Sequence, residues 1–372
     1  LIEEELSSLR MESNKNYEFI GTYDEVLKRT ENSLRYLLLG NGFSVAYDKN
    51  KFSFKNLFDY AKKNVISHNS PIMKHFEELQ SYDFEIIIKY LENALLVLKN
   101  YPKENQSNEI LNNIKQDINS LKEYLVMAIT KLHPEFFYDI KKAEYIKCID
   151  FIKEFNGIFT LNYDLLLNWV ILEYLDNNKL QNNRLIVDDG FRGRNKLIYN
   201  HINRFIYFRQ TIFYLHGALH LFFDGIDVIK NYYDENQKAT LLEQTKFNIQ
   251  IDNYPIFVSE GDAKKKLMKI KNNLYLNLGL QKFKCPNFSD GRNLRYILNQ
   301  EYFKNRSLVI FGTILDKDEH IVDAIVKGRY KNIYIGIRNK NKIYSCNHII
   351  SKLKDTDKNL FFYDFTTVNV WR

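Results

Sequence analysis

LRYLLLGNGFS, residues 34–44, reads as a strand apolar at nearly every position that runs straight into a glycine-rich turn. A strand without polar alternation is buried on both faces, the habit of parallel sheets covered by helices on either side. Working outward, GIFTL at 157–161 repeats the pattern, and helical spacing follows it over 164–174 through Leu165, Leu166, Trp169, Val170 and Leu172. Further strands are expected at 211–215, 255–258, 308–311, 332–337 and 360–364, with a helix at 318–327. Strands alternating with helices predict an α/β chain with a Rossmann-like, doubly wound, mostly parallel sheet. Between the first two strands the spacing is helical throughout, as in Phe84, Ile87, Ile88, Leu91, Ala94 and Leu95, so residues 54–155 read as a large helical insertion.

The chain has 372 residues, enough to bury a sizeable core. Its 14 Gly, 5 Pro and 15% aromatic residues exclude collagenous, linker-like and disordered classes. Lys and Arg number 53 against 46 Asp and Glu; the resulting +7 is scattered, so a nucleic-acid module is the least favoured reading. Cys148, Cys285 and Cys346 lie far apart, which offers neither a disulfide framework nor a zinc ribbon and favours a reducing, cytoplasmic compartment. Residues 1–10 lack the blocks of a signal peptide, although the missing initial Met leaves room for residues ahead of them. The apolar run at 85–97 is broken by Lys89 and Glu92, so no membrane span is expected. Asn- and Lys-rich patches near Asn105 and Asn177 read as surface loops.

In a doubly wound sheet, ligands bind beyond the carboxyl ends of the strands. Four such ends carry polar or glycine signals. Gly40, Asn41, Gly42 and Ser44 form a turn whose backbone can approach a pyrophosphate, or simply a tight turn. Asn162 and Asp164 can hydrogen-bond a ribose and a carboxamide, or cap the next helix. His216, ahead of Gly217 at an uncrowded sheet edge, can act as a general base or be a core histidine. Gly312 and Thr313 can touch phosphate or ribose, or start a helix. Asp316 with Glu319 reads as a capping box, and Asp262 as the cap of a solvated lysine-rich helix. Ser259 lacks the preceding glycine of a nucleophile elbow. His220 follows Gly217 without a helical two-histidine face or an H-E-x-x-H motif, so no metal site is expected.

These ends in this order resemble the sirtuin (SIR2-like) NAD-binding family. Gly40 to Ser44 stands where that family has its phosphate loop; TLNYD at 160–164, LHG at 215–217 and Gly312-Thr313 match its later segments. LLLGNGFS, FTLNYDLLL, YLHGALHLF, PIFVSEG, LVIFG and a C-terminal aromatic strand ending in Trp371 resemble the bacterial SIR2-like proteins grouped as DUF4917. The resemblance implies that residues 1–53 and 156–372 form one nucleotide-binding domain. It also implies NAD⁺ as substrate, with Asn162 and His216 catalytic and with Gly40, Asn41, Gly42, Ser44, Asp164, Gly312 and Thr313 holding the dinucleotide. Peptide deacylation is not implied, because the four-cysteine zinc module that follows the histidine in deacylating sirtuins is missing. The implied activity is NAD⁺ glycohydrolysis to nicotinamide and ADP-ribose in antiphage defence, as a homo-oligomer or beside a partner ATPase or sensor. The alternative is a sensor or scaffold that holds NAD⁺ or ADP-ribose without turnover.

Overall fold

Eleven strands appear in the computed structural model, which describes residues 17–101, 108–176, 184–194, 196–200, 209–232, 239–286 and 306–371. In chain order they are β1 (Tyr17–Gly21), β2 (Leu34–Leu39), β3 (Gly157–Thr160), β4 (Phe191–Arg192), β5 (Leu197–Tyr199), β6 (Ile212–Tyr214), β7 (Leu221–Phe223), β8 (Val228–Lys230), β9 (Arg306–Phe311), β10 (Asn332–Ile337) and β11 (Asn359–Asp364). Seven make one sheet in the order β1-β11-β10-β9-β2-β3-β6, and each pair in it is parallel. Setting β1 aside, the chain moves outward from β2 through β3 to β6, then returns to β9 on the other side of β2 and continues to β10 and β11. That is the Rossmann-like strand order, with its switch point between β2 and β9. Burial explains the composition: from Tyr36 to Leu39 and from Leu308 to Phe311 no side chain is more than 2% exposed.

Residues between β2 and β3 supply the helices Phe54–Asn64, Pro71–Glu78, Phe84–Lys99, Asn108–Leu132 and Lys142–Ile152. Ser53, Ser70 and Asp83 cap three of them, each accepting a backbone N–H of the first turn, and Pro71 occupies a first-turn position where its missing N–H costs nothing. No helix among the described residues is long and apolar enough to cross a membrane.

Several expectations are corrected. Residues 255–258 do not join the sheet; Phe257 forms one isolated antiparallel bridge with Gly217. An apolar run of that length suits a buried loop as well as a strand. A second, antiparallel sheet, β4-β5-β8-β7, was not legible because its strands are two or three residues long. The C-terminal strand stops at Asp364, and Trp371 instead packs on the helix Gly42–Tyr47 beside Phe43 and Tyr47, donating Nε1–H to the Phe43 carbonyl at 2.9 Å. The patches near Asn105 and Asn177 lie outside the described residues.

The switch point itself is built by glycine. The Gly42 N–H donates to the Gly312 carbonyl at 2.8 Å, and a Cβ on Gly42 would stand 2.4 Å from the Gly312 Cα. Gly312 also holds φ +80, a conformation that favours glycine. Gly42→Ala therefore drives backbone into backbone and should cost about 1–3 kcal/mol or more. Gly279, inside the helix Leu274–Lys284, has only ordinary contacts for a Cβ at 3.4 Å, so Gly279→Ala should be neutral or stabilising by up to about 1 kcal/mol. Urea denaturation of the two variants checks the contrast, and equal stabilities would contradict the packing described.

Candidate functional site

Gly40, Asn41, Gly42, Asn162, Asp164, His216, Gly312 and Thr313 border a single cavity of about 280 Å³, and Ser44 stands directly behind it. The cavity sits at the switch point, beyond the carboxyl ends of β2, β3, β6 and β9. Its far wall comes from the helices between β2 and β3, through residues that include Phe54, Leu57, Asp83, Glu85, Leu125 and Ile129.

The glycine loop is brought to the cavity but not with free donors at its glycines. Gly40 N–H is taken by the Phe311 carbonyl at 2.9 Å and Gly42 N–H by Gly312, while the next N–H groups turn back to Gly40 and Asn41. The glycines serve close approach of two loops, which the expectation of a phosphate cradle did not contain. On the β9 side, Leu315 holds φ +59 with its side chain buried, a left-handed backbone uncommon for a branched residue.

Behind the loop, Ser44 joins Asp164 and Asn162. Its hydroxyl donates to Asp164 Oδ2 at 2.5 Å and accepts from Asn162 Nδ2 at 2.9 Å. Asp164 Oδ1 also accepts from the Leu166 N–H at 2.9 Å, so the capping role is real and coexists with the network. Burial pushes the Asp164 carboxyl up, and the Ser44 hydroxyl opposes that rise. The hydroxyl's one proton is committed to Asp164, which fixes the amide orientation of Asn162 and leaves its Oδ1 buried with no protein partner. Buried acceptors are rarely left so unless a ligand or water meets them.

His216 is not in the uncrowded place expected. It is 2% exposed, with its ring within 26° of parallel to those of Tyr163 and His320. Its Nε2 lies 3.0 Å from His320 Nε2 and 3.8 Å from Asp318 Oδ1. Burial holds both imidazoles below the ordinary histidine range, His320 down to about 4, so both are neutral at neutral pH. Asp318 occupies the cap position of the helix Glu319–Lys327 but makes no side-chain cap; the expected capping box of Asp316 and Glu319 is absent, and Asp316 borders the cavity instead. Asp262 does cap the helix Ala263–Asn272, yet Lys266 on that helix is buried rather than solvated. The Lys266 ammonium donates to Asp318 Oδ1 at 2.9 Å and to Glu85 Oε2 at 2.7 Å. Burial works against this ammonium, but the two carboxylates outweigh it and hold it charged. Burial likewise opposes charge on Asp318, and His216 and Lys266 keep its carboxyl below the usual range; of those two, only Lys266 is charged at neutral pH. Sequence reasoning missed Glu85, Lys266, Asp318 and His320, which come from three separate helical stretches.

Ser44→Ala removes the shared partner of two buried groups. The loss should be about 1–3 kcal/mol, read as a lower urea midpoint at unchanged slope. Unchanged stability would mean that the Ser44, Asp164 and Asn162 network does not form.

No match to the chain is found among curated proteins. Residues 37–371 match the family described as Domain of unknown function (DUF4917). That span takes in all four strand ends at the cavity and reaches Trp371, so the whole site falls within it. The chain belongs to the DUF4917 family.

Proposed function

We propose that this protein is a SIR2-like NAD⁺ glycohydrolase that cleaves NAD⁺ to nicotinamide and ADP-ribose. The observation that carries the reading is the unpartnered, buried Oδ1 of Asn162, a residue that borders the same cavity as the neutral imidazole of His216, at the switch point of a Rossmann-like sheet. Dinucleotides bind at such points, and the sirtuin resemblance of the four strand ends names the dinucleotide. Gly40, Asn41, Gly42, Gly312 and Thr313 would then follow the pyrophosphate and ribose, with Ser44 and Asp164 holding Asn162 in place.

Breaking the bond between ribose C1′ and the nicotinamide nitrogen returns the electron pair to nicotinamide and leaves an oxocarbenium-like ribose. Asn162 Oδ1 accepts a hydrogen bond from a ribose hydroxyl or from the attacking water, at a position fixed before the substrate arrives. Water adds to C1′, and its proton passes to the unprotonated ring nitrogen of His216, whose imidazole burial keeps neutral at neutral pH. In this reading NAD⁺ is substrate, and a role in antiphage defence in the cytoplasm follows from the family resemblance. Purified protein should release nicotinamide from NAD⁺. Asn162→Ala and His216→Ala should each lower that rate about 10²–10⁴-fold with folding retained. Turnover at the wild-type rate in either variant removes that residue from the chemistry.

A second reading, an NAD⁺ or ADP-ribose sensor or scaffold without turnover, is favoured by one observation: His216 Nε2 already faces His320 at 3.0 Å. Nucleotide binding by calorimetry with no nicotinamide formed would establish it.

The helix Phe84–Lys99 buries Ile87, Ile88 and Leu91 but exposes Ile86, Tyr90, Leu96 and Val97, which supports self-association or a partner ATPase or sensor on that face. The same helix carries Glu85 into the cavity wall, so assembly and access are linked in the proposal. Specific activity should rise with protein concentration; constant specific activity across dilutions of a monomeric sample would rule out gating by self-association.

A further inference from the structure

The geometry points to a divalent transition-metal site formed by His216, Asp318 and His320, with Zn²⁺ as the best-matched ion. One ligand atom from each residue lies within 4.8 Å of the other two. The two imidazoles face each other Nε2 to Nε2 at 3.0 Å, and a ring nitrogen's lone pair is what histidine offers a metal. Without an ion only one of these nitrogens carries the bridging proton. With one, both lone pairs are used: metal–nitrogen distances of about 2.0–2.1 Å at a tetrahedral angle place the two nitrogens about 3.3 Å apart. The observed gap needs to open by only a few tenths of an ångström.

The carboxylate of the set is already oriented. Lys266 donates to Asp318 Oδ1 and is itself held by Glu85, an outer layer of the kind that orients a ligating carboxylate. His216 and Asp318 border the cavity, so further coordination positions face open space, as catalytic rather than structural metal sites require. Two nitrogens and one oxygen favour Zn²⁺, Fe²⁺ or Mn²⁺ over Mg²⁺, which prefers oxygen donors alone. His216 and His320 are 104 residues apart, so no local spacing motif announces the site.

The proposal does not rest on the NAD⁺ reading, since it is tested without nucleotide; an ion here would take the Nε2 lone pair of His216 and pass water activation to its own bound water. The experiment strips the full chain with chelator and titrates it with Zn²⁺ alone by calorimetry, following melting temperature in parallel and repeating with Mg²⁺. One equivalent of Zn²⁺ should bind and raise the melting temperature, with Mg²⁺ doing neither. His320→Ala and Asp318→Asn should weaken Zn²⁺ binding at least about 10–100-fold. His320→Gln, which keeps the volume and a polar end but loses the imidazole, should weaken it similarly and serves if His320→Ala does not fold. Absence of a saturable single equivalent in the wild-type chain, or undiminished binding by folded His320 variants, overturns the proposal and leaves a hydrogen-bonded histidine pair.

Discussion

The contact between Gly42 and Gly312 holds the two halves of the sheet in the positions on which the site depends. It lies where the loop after β2 meets the loop after β9, the place at which a doubly wound sheet reverses direction and its loops usually diverge. Here they touch, backbone to backbone, with a hydrogen bond between them. Neither position has room for a Cβ. The close approach sets the floor of the cavity, and the side chains that follow each loop, Ser44 on one side and Asp318 with His320 on the other, are positioned by it. Trp371 backs the loop from beneath by seating its ring against Phe43.

A second constraint joins the helices between β2 and β3 to the sheet. Lys266 is buried, and a buried ammonium is tolerated only when paired. Its partners come from different places: Glu85 from the helix Phe84–Lys99, Asp318 from the turn after β9. Tyr163, which follows β3, donates to the Val258 carbonyl at 2.6 Å and lies 3.2 Å from Glu85 Oε1. The far wall of the cavity is therefore tied to its floor by charge and hydrogen bonds as well as by apolar contact. Removing one partner from such a network leaves an uncompensated buried charge, which is why these groups belong to the site even where they touch no reacting atom.

What was legible in the sequence follows physical lines. Strands such as Leu34–Leu39 and Asn332–Ile337 announce themselves because burial on both faces forces a continuous apolar run. The short strands Phe191–Arg192 and Leu221–Phe223 carry no period to read, and the apolar run at 255–258 lacks the length to tell a strand from a buried loop. At the site, Asn162 and His216 were legible because each stands two residues past a strand. Asp318 was hidden behind a local motif: Asp316 with Glu319 reads as a capping box, and only the fold shows that Asp318 stands at the cap position with its carboxylate turned to Lys266. His320 and Glu85 sit within helical spacing, where nothing local separates a ligand-facing side chain from a packing one.

The pairing of Leu34–Leu39 with Arg306–Phe311 has a consequence for the chain as it is made. At about 5–20 residues per second, translation leaves Leu34–Leu39 waiting on the order of tens of seconds for this neighbour. Through that interval a ribbon of Tyr36, Leu37, Leu38 and Leu39 has an open edge, apolar and without proline, of the kind that recruits other chains. The helices made in between pack largely with one another and cannot substitute for the missing strand. Recovery of native protein is thus a contest between ribosome speed and intermolecular capture. Slower growth, lower expression or a holding chaperone should tilt it toward the native fold, and these remedies act before any folded-state stability comes into play.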